Sequence, residues 1–208
     1  AALYTQLGEY DDAIREWLRA IDVIDERPRE PGAVSRPVID RHVVWLWIAH
    51  VHALAGRADD ALAYFDRAMA LPEMWIGYDP WVHATYPDMA RLLVSRGRSA
   101  DAERLLAMGH KSALNSSGPE SNDTAAMQSG FAGVYSHQPG RAADAQQAHA
   151  GALAILLHES ASFQLADAWF SAAEDRDHLT NGADSAVYMY KVAANVLSAA
   201  RLRASGLE

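Results

Sequence analysis

Cysteine is absent from this chain of 208 residues. That excludes disulfides, a thiolate nucleophile and any cysteine-ligated zinc site. It leaves the compartment open. Basic residues are few beside acidic ones: 18 Lys and Arg against 27 Asp and Glu, a formal net charge of -9. A protein that grips phosphates needs a dense Lys/Arg surface, so nucleic acid is not the expected partner. Apolar runs of membrane-spanning length are missing, and the first residues do not read as a secretory leader. No membrane partner and a cytoplasmic location are therefore expected. Period-two alternation is missing over any useful length, which removes the signal for strands.

Motifs of catalysis are also lacking. His50 and His52 lie about 200° apart on a helix and cannot share an ion. His158-Glu159 lacks the second histidine of a H-E-x-x-H motif. No G-x-S-x-G occurs, and Ser116-Ser117-Gly118 reads as a loop. Asp11-Asp12 and Asp59-Asp60 follow turns, where carboxylates favour a helix N-terminus. The glycines are dispersed, one per turn, and form no phosphate loop. The expectation is no metal, no cofactor and no enzymatic activity.

What is present is helical periodicity broken by glycines. Trp45, Ile48, Ala49 and His52 fall at i, i+3, i+4 and i+7, one stripe of a helix. Gly56 stands where that helix must stop. Ala61, Phe65 and Ala68 make a second stripe, and Pro72 follows. Small Ala49 and Ala61 allow the backbones to approach, while Trp45 and Phe65 fill the space beside them. The bland reading of these aromatics is core packing.

That order and spacing resemble one tetratricopeptide repeat (TPR), the helix–turn–helix unit W-x2-L-G-x2-Y…A-x3-F…P. Residues 1–24 align with it: Gly8 on Gly56, Tyr4 on His52, Ala13 on Ala61, Trp17 on Phe65 and Ala20 on Ala68. Gly97 centres a third unit, with Tyr86, Met89, Ala90 and Leu93 before it and Ala102, Leu106 and Gly109 after. Gly140 centres a fourth, weaker one, because Ser129, Ser136 and His149 replace its large residues. Gly8, Gly56 and Gly97 stand 48 and 41 residues apart, against about 34 in the usual repeat. The stretch 25–37, with three prolines and a glycine, reads as a loop, and 110–122 as the least structured connection.

The resemblance implies an all-α fold, a solenoid (superhelix) of antiparallel helix–turn–helix repeats. One domain, 1–208, is expected, with units at about 1–24, 38–72, 81–110 and 122–158. Helices at 162–175 and 184–205 close it. The runner-up is a closed helical bundle of similar hairpins.

In arrays of this family the first helices of successive repeats line a concave groove. Carried across, that lining is Val43, Leu46, His50, Ala53 and Leu54; then Ala84, Pro87, Arg91, Val94 and Ser95; then Met127, Gly130, Val134, His137 and Gln138. Members that hold a chaperone's C-terminal carboxylate use a Lys/Asn clamp. The matching places here hold Leu46, His50 and Arg91, so that clamp is not present. A mostly apolar lining with a few polar points suits a peptide or helix.

The function implied is a scaffold or sensor module that binds a protein or peptide partner. The first helix is half missing, which hints at upstream sequence and a larger regulatory protein. The same gap leaves the stripe of Ala13, Trp17, Ala20 and Ile21 short of cover, so a homo-oligomer through the open N-terminal end is also expected. The alternative is an enzyme or small-molecule-binding protein. Its pocket would use Trp45, Trp47, His50, Trp75, Tyr78, Trp81 and His83. Solution scattering separates the two folds: the array should be more elongated than a sphere of this length, and the closed bundle should not.

Overall fold

The computed structural model describes residues 1–26, 41–70, 83, 85–158, 162–177 and 183–204. Among them are ten α-helices and no strand. They pack in adjacent pairs: α1 (Ala2–Gln6) with α2 (Tyr10–Glu26), α3 (Arg41–Leu54) with α4 (Ala58–Met69), and α5 (Tyr86–Ser95) with α6 (Ser99–Ser116). Then come α7 (Asn122–Ser136) with α8 (Ala142–Leu156), and α9 (Phe163–Asp177) with α10 (Ala183–Ala204). The fold is all-α. First helices also touch each other, α3 on α5, α5 on α7 and α7 on α9. Most of the loop at 25–37, the start of the second unit and the Pro-rich approach to α5 lie outside the described residues, although α2 itself runs to Glu26.

Each expected turn glycine has positive φ: Gly8 at 76°, Gly56 at 73°, Gly97 at 73° and Gly140 at 83°. At Gly56 the reason is visible. Its N–H donates to the Ala53 carbonyl at 3.0 Å, and the next N–H, of Arg57, donates to the His52 carbonyl at 2.8 Å. This pair of bonds satisfies the last carbonyls of α3 and forces a left-handed residue that only glycine takes without a Cβ clash. The same pair recurs around Gly97, from Gly97 to Val94 at 2.9 Å and from Arg98 to Leu93 at 2.8 Å.

Three of these turns continue with an arginine that reaches back to the preceding hairpin. Arg57 meets Asp11 of α2 at 2.6 Å, Arg98 meets Asp66 of α4 at 2.6 Å, and Arg141 meets Glu103 of α6 at 3.1 Å. The Arg98 guanidinium also lies 5.7 Å from the Phe65 ring centre, and that of Arg141 lies 3.8 Å from the Tyr135 ring. Each arginine head therefore bridges two hairpins, and those of Arg98 and Arg141 also lie over an aromatic ring.

The main core joins α3 to α7 through Leu46, Phe65, Met89, Leu93, Leu105, Leu106 and Met127. A second cluster joins α2 to α3 through Ala13, Ile14, Val44, Ile48 and Val51. A third lies between α7, α8 and α9 around Ala125, Leu156 and Leu165. Trp17, expected to lack cover, stacks on Trp47 of α3 with ring centres 5.7 Å apart and planes 12° apart. Helix α3 thus packs against that stripe, with Ala13 buried and Trp17, Ala20 and Ile21 half-buried. Exposed large apolar groups at this hairpin are Leu3, Tyr4, Leu7, Leu18 and Val23.

One connection differs from the sequence reading. Helix α6 continues through His110 to Ser116, inside the stretch read as unstructured. Two small residues of this extension face inward, Ser112 and Ala113, both buried, while Lys111, Asn115 and Ser116 face solvent. Ser112 Oγ lies 2.8 Å from His83 Nε2, and Ser116 Oγ donates to the Ser112 carbonyl at 2.9 Å. The turn comes later, at Gly118 with φ 91°. Ser121 then caps α7, its side chain accepting from the Thr124 N–H at 3.2 Å.

Gly109 marks the tightest approach. A Cβ there would sit 2.1 Å from Tyr86 Cδ2 and 2.6 Å from Met127 Sδ. Tyr86 and Met127 are both fully buried and cannot retreat. Gly109→Ala is therefore expected to destabilise by about 1–3 kcal/mol through overpacking, despite the roughly 1 kcal/mol that alanine brings to a helix. Phe65→Ala should cost about 3–5 kcal/mol, since Phe65 is only 1% exposed. Denaturant melts of both variants check this.

Candidate functional site

The residues that the repeat alignment assigns to a groove divide by burial. Val43, Leu46, Met127 and Val134 are buried members of the main core. Ala53 and Val94 are half-buried and pack against it. Pro87 and Gly130 are half-buried, and Gly130 lies close under Leu106. Leu54, Arg91, Ser95 and His137 are exposed. Ala84 lies outside the described residues.

Two of the polar candidates are brought together by a residue the alignment did not single out. Asp88, on the first turn of α5, pairs with Arg91 one turn on. Its other oxygen lies 3.7 Å from His50 Nδ1 on α3. Asp88 thus links His50 and Arg91 across two first helices. His50 also meets the edge of Trp47, ring centres 6.2 Å apart, and Trp47 carries Trp17 on its face. The line Trp17–Trp47–His50–Asp88–Arg91 runs over α2, α3 and α5.

Burial is the main cause that depresses the pKa of His50, with Asp88 pulling the other way. His52 is depressed too, again chiefly by burial, against the opposing charge of Asp60. Desolvation outweighs each carboxylate because the ring must leave water while the carboxylate stays partly in it.

His137 and Gln138 end α7. His137 Nδ1 lies 2.8 Å from the Gly133 carbonyl, so that nitrogen carries the proton and Nε2 is the acceptor in the neutral ring. Gln138 donates to Glu103 at 2.7 Å and joins the Arg141 bridge between hairpins.

Beside His137 opens a cavity of about 640 Å³ between the end of α7 and helices α8, α9 and α10. Its apolar wall includes Ala145, Ala150, Leu153, Trp169 and Met189, and its polar points include Gln146, His149 and Arg176. Only His137 of this lining was assigned from the sequence. The rest belongs to the weak fourth unit and the ambiguous fifth, where the alignment had no fixed phase. A signal was present: Ser136 and His149 stand where large residues are usual, and α8 is rich in alanine. Small side chains on facing helices leave space.

The alternative aromatic pocket is divided. Trp45, Trp47 and His50 lie on α3, whereas His83 is buried against Ser112 and 3.3 Å from Asp123. Trp75, Tyr78 and Trp81 lie outside the described residues. Among the described residues no three His, Asp or Glu side chains converge on a point that could hold a metal ion, and no helix is long and apolar enough to cross a membrane. No protein-family model and no curated protein sequence matches the chain.

A pH dependence follows from His50 and His52. Both titrate near 6.5 in the ordinary state, and folding lowers both. Below 6.5 the unfolded chain therefore binds more protons than the folded one, and stability is lost as pH falls through the folded values. The melting temperature should hold above 6.5 and fall below it, and His50→Gln should make the fall shallower.

Proposed function

We propose that the chain is a protein-interaction module of tetratricopeptide type, which holds a peptide or helix of a partner protein across its first helices. The observation that carries this reading is the contact of α3 with α5 and of α5 with α7. It sets side by side the helices that carry the assigned positions. Exposed Leu54, Arg91 and His137, with half-buried Val94, then offer apolar surface with polar points. Such a surface suits a peptide with an apolar stripe and an acidic residue opposite Arg91. Buried Val43, Leu46, Met127 and Val134 shape this surface from behind. A cytoplasmic setting and a place in a larger regulatory protein belong to the same proposal.

Capture of a partner from extract, followed by variants, tests it. Arg91 is 70% exposed at its side chain, so Arg91→Glu should change stability by no more than about 0.5 kcal/mol while the captured partner is lost. Leu46 is 1% exposed, so Leu46→Asp should unfold the chain by leaving a buried charge, a loss above about 4 kcal/mol. A partner retained in full by both Arg91→Glu and Leu54→Asp would show that binding lies elsewhere.

A further inference from the structure

The cavity beside α8 is separate from the Arg91 face and carries its own chemistry. None of its twelve described lining residues is acidic, in a chain with 27 Asp and Glu and a net charge of -9. The one permanent cation among these described residues is Arg176, near the end of α9. The Nε of Arg176 is buried and meets no hydrogen-bond partner. A buried donor left without a partner is costly, and a charged one more so. The same lining holds Leu153, Trp169 and Met189, apolar side chains that include one aromatic ring. His137 supplies an acceptor rather than a charge while its ring is neutral, because its Nδ1 proton is held by the Gly133 carbonyl. At about 640 Å³ the space is within the range of small-molecule sites.

We propose that this cavity binds a small apolar carboxylate, its body against Trp169, Leu153 and Met189 and its carboxylate on Arg176. An anion supplies the acceptor that Nε lacks, and a charge-assisted bond to a guanidinium is the stronger kind. A neutral alcohol of the same shape fills the wall but offers Nε only an uncharged acceptor, the weaker kind of bond. A cation meets the wrong charge. The site shares His137 with the proposed peptide face and none of its other lining residues.

Calorimetric titration with decanoate and with 1-decanol tests the idea on the whole chain. Decanoate should bind at least about tenfold more tightly than decanol. Arg176→Gln should reduce that preference to within about threefold. Ala150 is exposed at the rim, so Ala150→Trp should fill the space and weaken both ligands by at least about tenfold, with the melting temperature kept. Equal binding of acid and alcohol by the unaltered chain overturns the proposal. So does failure of decanoate to bind, or decanoate affinity unchanged in both variants.

Discussion

Everything in this fold depends on reversing a helix in two or three residues and then aligning the next one. The left-handed glycine does the first task. With Gly56 and Gly97 at φ 73°, the amides of the glycine and its successor both turn back on the last turn of the helix. Any side chain at that φ would strain the reversal, and the helix pair would splay. The arginine that follows does the second task. Because it leaves the turn at a fixed angle, its head arrives at a carboxylate on the hairpin before: Asp11, Asp66 or Glu103. A reversal and an inter-hairpin bridge are thus encoded in the dipeptide Gly-Arg at 56–57, 97–98 and 140–141. The pairs are exposed and screened by water, so their value is in fixing the angle between hairpins more than in stability.

The turns and the stripes were legible in the sequence because they are local. Gly8, Gly56, Gly97 and Gly140 each end a run of apolar residues at helical spacing, and all four have positive φ. Core residues of the best-matching unit, Ile48, Ala49, Ala61, Phe65 and Ala68, are each 1% exposed or less. The Gly-Arg bridge was not legible, because its acidic partner stands at a different distance from the turn in each hairpin. The continuation of α6 was missed for a related reason. Ser112 reads as a polar breaker until His83, nearly thirty residues earlier, is placed against it.

Burial of the expected groove residues has a physical meaning. A first helix of a pair in this fold has neighbours on several sides: its own partner, the second helix before it, and the next first helix. Helix α3 meets α2, α4 and α5. Only a narrow strip is left for solvent, and Val43 and Leu46 fall outside that strip. His50 falls at its edge, which is why it is desolvated yet still feels Asp88. Alignment fixes the helix on which a residue lies. It does not fix the few tens of degrees of rotation that decide between core and surface.

The same packing rule explains why space opens at α8 and not at α5. Around α5 the interface is filled to contact: Tyr86 and Met127 close on Gly109, where not even a methyl group would fit. Around α8 the inward positions hold Ala145, His149 and Ala152, and the neighbouring turn holds Ser136 and His137. Trp169 and Met189 are long enough to reach into the gap but too few to fill it. An open gap of that size leaves its apolar wall without the dispersion contacts of a tight interface. Arg176 adds a second cost, a buried Nε–H with no hydrogen-bond partner. One occupant with an apolar body and a negative end relieves both at once, whereas a larger side chain at 145 or 150 would relieve only the first.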